Sequence, residues 1–171
     1  MTRRIVLTGP ECSGKTTLAR ALATALAAPC TPEAARLLAE ALHPAPLSAE
    51  TVEPIARLTM RLHDEAASHH PAAIVHDTDL ISTVVYARHY YGSCPAWIEQ
   101  DARARLADQY LLCLPDLPWQ ADGVRDRPLS RQSMLALFRA ALTEFGASAV
   151  DISGHGAVRE RTARRAVGLS E

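Results

Sequence analysis

The apolar positions of this 171-residue chain change period several times, and each change marks a new element. Arg3-Arg4-Ile5-Val6-Leu7-Thr8 carries a short apolar run between polar residues, which predicts a buried strand. Leu18, Ala21, Leu22, Ala25 and Leu26 then recur at helical spacing. Ala28 to Thr31 predicts a second, short strand. Pro32 stands at a helix start, with Ala34, Leu37, Leu38, Ala41 and Leu42 on one face. His43-Pro44-Ala45-Pro46 breaks the chain. Ser48 can cap a long helix whose stripe is Val52, Ile55, Leu58, Thr59, Leu62 and Ala66. Ala72 to His76 predicts a third strand, ending in Asp77-Thr78-Asp79.

A helix carrying Ile81, Val84 and Val85 follows and stops near Gly92, and Pro95 begins another. Tyr110 to Leu114 is continuously apolar, as in a strand covered on both faces. Asp116 to Pro128 has no periodicity. Ser130 then caps an amphipathic helix through Met134, Leu137, Phe138, Ala141, Leu142 and Phe145, closed by Gly146. Ala147 to Ile152 predicts a last strand. A basic helix finishes the chain, with Arg159, Arg161, Arg164 and Arg165 read as a solvated face. Strands alternating with helices imply a parallel sheet with right-handed crossovers. The expected architecture is three-layer α/β, about five parallel strands flanked by helices, in one domain spanning residues 1–171.

Composition narrows the chemistry. Hydrophobic residues at 48% and charged residues at 22% are ordinary for a globular chain. A formal net charge of −1 argues against nucleic acid held by bulk electrostatics. Cys12, Cys30, Cys94 and Cys113 form no C-x-x-C pair, so neither a zinc site nor a disulfide framework is indicated. The expectation is a cytoplasmic protein with no membrane partner and no signal peptide.

One lysine changes the picture. The 18 basic residues include a single lysine, Lys15, within Gly9-Pro10-Glu11-Cys12-Ser13-Gly14-Lys15-Thr16. That octet matches G-x-x-x-x-G-K-[ST], the phosphate-binding loop of P-loop nucleotide enzymes. A compact ammonium fits among phosphate oxygens where a wide guanidinium would not. Strand, loop and helix here aim backbone N–H groups at an anion, so a nucleoside triphosphate, ATP with Mg²⁺, is the expected ligand. Gly9, Glu11, Cys12, Ser13, Gly14, Lys15, Thr16 and Thr17 are its candidate contacts. Lys15 would serve the β- and γ-phosphates and Thr16 the metal.

Further acids belong at strand ends, where open α/β folds bind ligands. Asp77 is the candidate second metal contact. Asp79 fits a metal or substrate hydroxyl, or a plain helix cap. Glu33 could take the proton of an attacking hydroxyl or simply favour a helix dipole. Arg36 could pair with Glu33 or reach substrate. The charged stretch 116–131 reads as a lid, with Trp119, Asp122 and Arg125 near the acceptor and the transferring phosphate.

In this order, the loop 9–16, Glu33-x-x-Arg36, Asp77-Thr78-Asp79 with Thr83, and Asp116-Leu117-Pro118-Trp119 with Asp122-Gly123-x-Arg125 resemble NadR-type nicotinamide riboside kinase domains. The resemblance covers almost the whole chain. It implies the P-loop nucleoside triphosphate hydrolase fold, Mg-ATP as phosphoryl donor and a ribosyl hydroxyl as acceptor. By position it assigns phosphates and metal to Lys15 and Thr16, the acidic strand-end motif to Asp77 and Asp79, and the lid to Arg125. Two departures concern the acceptor. Where the family stacks aromatic side chains on the ring, this chain has Pro32 and Glu65, and Met60 replaces a usual glutamine. The adenylyltransferase domain that often precedes such a kinase is not in this sequence.

The leading expectation is thus an ATP-dependent small-molecule kinase with a nucleoside-like acceptor. The alternatives are a P-loop ATPase or GTPase, and a nucleotide-binding regulatory module without chemistry. The first alternative lacks an N-K-x-D guanine-reading motif and a Walker B strand ending in paired Asp-Glu.

Overall fold

Side-chain alternation within the strands splits the core in two. Ile5 and Leu7 face one side of the sheet and Val6 the other, and Leu111 and Cys113 oppose Tyr110 and Leu112 in the same way. The computed structural model describes residues 1–117 and 131–169. Its strands are β1 (Arg3–Thr8), β2 (Cys30–Thr31), β3 (Ala73–Asp77), β4 (Gln109–Cys113) and β5 (Ala149–Ile152). They form one sheet in the order β2-β3-β1-β4-β5, and every pairing is parallel.

Helices cover both faces. The helices are α1 (Lys15–Ala25), α2 (Ala34–Leu42), α3 (Val52–Ser68), α4 (Leu80–Tyr91), α5 (Ala96–Ala104), α6 (Arg131–Phe145) and α7 (Gly156–Ala166). One face is closed by α1 and α7, through Leu18, Leu22 and Ala163 against Ile5, Leu7 and Leu111. The other is closed by α3 to α6, through Ala56, Ile81, Ile98 and Phe138 against Val6 and Leu112. Burying a side chain such as Phe138 or Leu22 contributes roughly 1.5–3 kcal/mol. This is the three-layer architecture with five parallel strands that the pattern predicts.

Three local differences have physical causes. Only two residues of the 28–31 segment pair as β2, because it is an edge strand bonded to β3 alone. The α3 stripe is less buried than expected: Val52 and Thr59 are buried, but Ile55 borders a cavity. Third, β5 is largely exposed at an edge, with Ile152 its one buried residue. Ser130, the expected cap of α6, lies outside the described residues.

Candidate active site

The phosphate loop leaves β1 at Thr8 and enters α1 at Lys15. Gly9 has φ +125°, and a Cβ there would sit 2.6 Å from the Cys113 carbonyl oxygen, so only glycine fits against β4. Gly14 caps α1 in the left-handed region at φ +76°. Cys12 also has a positive φ, 51°, within the same turn. Ser13 Oγ and Lys15 Nζ both donate to the Pro10 carbonyl, each at 2.7 Å. The loop is thus tied to itself, with the lysine folded along it. Glu11 and Ser13 are buried, Cys12 is half-buried, and Thr17 is exposed on the first turn of α1.

Parallel pairing of β1 with β3 sets Leu7 beside Asp77, and this register brings Asp77 to the loop. Thr16 Oγ1 donates to Asp77 Oδ2 at 2.6 Å. Asp77 Oδ1 is buried and has no hydrogen-bond partner among the described residues. Burial pushes the Asp77 carboxyl above its ordinary range and the nearby Glu33 carboxylate adds to this, while the Thr16 bond, Lys15 and Arg36 draw it back. Lys15, Thr16, Asp77, Glu33 and Arg36 therefore share one electrostatic neighbourhood. A carboxylate oxygen without a partner, beside a hydroxyl, is an oxygen donor set that suits a hard cation such as Mg²⁺. Among the described residues no group of three or more His, Cys, Asp or Glu is arranged to hold a metal by itself.

Glu33 stands at the N-cap of α2 but makes no side-chain cap bond. It is 6% exposed and lies 3.8 Å from the Arg36 guanidinium. Both residues line a cavity of about 720 Å³ walled by α2, the 43–47 segment, α3 and α4, with Thr78 and Ser82 also in the lining. Glu33 therefore both lines the cavity and acts electrostatically on the strand-end acid Asp77.

Asp79 is placed differently from these. Its Oδ1 accepts from the Ile81 and Ser82 amides at 3.1 and 3.4 Å, capping α4, and its Oδ2 accepts from the Tyr110 hydroxyl at 2.8 Å. Burial raises its pKa to about 6, against these bonds. It is not among the residues lining the cavity. Pro32 and Glu65 are exposed and also stand outside that lining. Trp119, Asp122 and Arg125 lie outside the described residues.

The periodicity reading missed two features. Arg159 is not part of a solvated helix face: it is 4% exposed. Its Nη1 donates to Asp116 Oδ1 at 2.7 Å, and its Nη2 donates to the Ser13 and Leu114 carbonyls at 2.6 and 3.0 Å. Asp116 in turn accepts from the Gly154 amide at 2.7 Å. Arg161 and Arg165 are exposed as expected. No spacing signal separates Arg159 from its basic neighbours, because Ser13 and the Leu114–Asp116 stretch come from two distant segments. The second missed feature is a set of aromatic rings in the cavity: Tyr86, Tyr90 and Tyr91 of α4 line it. A Tyr at i and i+4 was visible there, but the cavity that gives the pair meaning was not.

A family model described as an AAA domain matches residues 4–161. Among solved structures, a NadR protein in complex with NAD and AMP-PNP superposes with a TM-score of 0.81. Identity is 22%, over 99% of this chain and 51% of that one. A NadR protein in complex with NR gives a TM-score of 0.74 at 24% identity, covering 97% of this chain and 48% of the other. Thymidylate kinase from Ehrlichia chaffeensis gives 0.68 at 13% identity, covering 97% and 98%. The chain spans about half the length of the NadR chains it matches. These likenesses show the P-loop fold. No curated protein matches the sequence.

Proposed function

We propose that this chain, which belongs to the AAA domain family, is a Mg-ATP-dependent kinase acting on a nucleoside-like acceptor, nicotinamide riboside being the first candidate. The observation that carries this reading is a phosphate loop coupled, through Asp77 and Glu33, to a separate cavity large enough for an organic acceptor. An ATPase whose second substrate is water has no need of such a chamber. The NadR proteins of the same fold hold NAD, NR and AMP-PNP, which supports the choice of first acceptor. Among the described residues, no helix is long and apolar enough to cross a membrane.

In this reading Lys15 leaves the Pro10 carbonyl to contact the β- and γ-phosphates, and the loop amides hold the remaining oxygens. Thr16 and Asp77 would hold Mg²⁺, which when bound neutralises charge on the phosphate oxygens. Glu33 accepts the proton of the acceptor hydroxyl as its oxygen attacks the γ-phosphorus and the bond to ADP breaks. Arg36 orients Glu33 from 3.8 Å. Arg125, Trp119 and Asp122 enter on sequence alone, as groups that close the site around the transferring phosphate and acceptor. The test is ADP release with and without a nucleoside panel that includes nicotinamide riboside. Release that needs an acceptor supports the kinase, and release of equal rate without one shows an ATPase instead.

A further inference from the structure

Aromatic residues are scarce in this chain, at 5%, yet three of its four tyrosines, Tyr86, Tyr90 and Tyr91, lie on α4 and line the cavity. Tyr90 and Tyr91 are 37% and 39% exposed. Adjacent exposed rings at the mouth of a cavity are what a ligand with its own ring would cover.

The helix also sets direction. Ser82 Oγ lies 3.2 Å from Thr8 Oγ1, at the end of β1 where the phosphate loop begins, so the first turn of α4 marks the phosphate end of the cavity. Thr83 and Tyr90 share a face seven residues apart, which is about 10 Å of helix rise. That separation suits a ribose followed by a ring. Tyr86 and Tyr90 are parallel, with 6° between ring planes and centroids 6.0 Å apart. Tyr86 is steadied by an edge-on contact with Phe138, centroids 5.6 Å apart at 78°. Tyr90 is the outer ring of this pair.

Charge narrows the ligand further. Among the described residues, the cavity lining carries two carboxylates, Glu33 and Glu40, against one guanidinium, Arg36, which is already 3.8 Å from Glu33. His43 also lines it. An acceptor bearing its own phosphate would meet net negative charge from these lining groups.

We propose that Tyr90, backed by Tyr86, is the ring-binding surface of the acceptor site, and that the acceptor is a phosphate-free nucleoside with a neutral or cationic ring. This rests on the kinase reading above for the direction of the ligand, and deepens it by naming the residues that select the acceptor.

The experiment is calorimetric titration of nicotinamide riboside, uridine and adenosine, each beside its 5′-monophosphate, into protein saturated with Mg-AMP-PNP. At least one nucleoside should bind tenfold or more tightly than its monophosphate. Tyr90→Leu should weaken that nucleoside about tenfold, the order expected for one lost base–aromatic stack. Tyr90→Phe, which keeps the ring, should recover most of the loss. Affinity for AMP-PNP should be the same in all three proteins, which separates a ring contact from general damage. Equal nucleoside affinity in wild type and Tyr90→Leu overturns the proposal, as does preference for the monophosphate or no nucleoside binding at all. Turnover is read separately. Tyrosine-dependent binding without acceptor-dependent ADP release keeps the ring surface and removes the kinase. Acceptor-dependent release with a KM indifferent to Tyr90→Leu does the reverse.

Discussion

Arg159 donates to the Ser13 carbonyl at 2.6 Å, so a helix at the far end of the sequence holds the phosphate loop from behind. The same guanidinium binds Asp116 and the Leu114 carbonyl at the end of β4. One buried cation therefore ties together the loop, the strand end that leads into segment 118–130, and α7. Losing it leaves the Ser13 and Leu114 carbonyls without this donor and Asp116 with the Gly154 amide, a change that typically costs about 1–3 kcal/mol. Arg159→Ala should lower Tm by several degrees and raise the KM for ATP more than the KM for the acceptor. Arg159→Lys should recover little, since one ammonium cannot reach all these acceptors. Thermal unfolding together with both KM values checks this, and an unchanged KM for ATP would make the node purely structural.

Among the described residues, Lys15 Nζ bonds to the loop it belongs to, through the Pro10 carbonyl. Lys15→Ala should therefore abolish acceptor-dependent ADP release while Tm stays close to wild type. Lys15→Arg should fail as well, because its planar group crowds the loop. Turnover of the arginine variant within a few-fold of wild type would refute the role given to the single lysine.

Among the described residues, Asp77 presents one bonded and one unbonded oxygen beside Thr16. Asp77→Asn keeps the shape and removes the charge. Turnover should fall on the order of 10²-fold or more if that charge is used in the transition state, and the magnesium concentration for half-maximal rate should rise. A titration of rate against magnesium decides it: an unchanged midpoint in a poorly active variant would place the metal elsewhere.

His63 of α3 stacks on His76 of β3 with centroids 3.7 Å apart, and the His76 Nδ1 pairs with the Thr31 hydroxyl at 2.9 Å. Burial lowers the His63 pKa to about 4, and His76 is lowered further by burial and by its neighbour. An unfolded histidine takes its proton near pH 6.5. Between that value and about 4 the unfolded state binds more protons than the folded state, so this contribution to stability falls as pH drops through the window. Asp79 acts in the opposite sense: its folded pKa of about 6 lies above the unfolded value, so it destabilises as pH rises toward 6. The readout is accordingly a difference. His63→Gln should lose less stability than wild type between pH 6.5 and 4.5 in denaturant titrations. Parallel stability curves for the two proteins would show that His63 charges freely in the folded state.

Gly9 and Gly14 offer a contrast within one loop. A Cβ on Gly9 meets the Cys113 backbone at 2.6 Å, whereas one on Gly14 meets the flexible end of Leu117 at 2.7 Å. Both positions have positive φ, so both alanine variants lose stability, but Gly9→Ala should lose clearly more because backbone cannot move aside. Midpoints of chemical unfolding for the two variants test the order.

By itself the sequence determined the elements and the phosphate end of the site. Local periodicity depends only on which neighbours along the chain are apolar, so β1, α1, β4 and α6 were legible. The G-x-x-x-x-G-K-[ST] loop was legible for a related reason: its chemistry is built from consecutive residues. Tertiary structure alone decided what depends on distant partners. The β1–β3 register carries Asp77 to Thr16, and the packing of α2, α3 and α4 encloses the cavity and turns the α4 tyrosines into its lining. It also separated two strand-end acids that look alike in sequence, leaving Asp77 with an oxygen unbonded among the described residues and committing both oxygens of Asp79 to a helix cap and Tyr110. The burial of Arg159 is the clearest case. Four arginines on one basic helix share a composition and a spacing, and only the arrival of Ser13, Leu114 and Asp116 from elsewhere in the chain makes one of them interior.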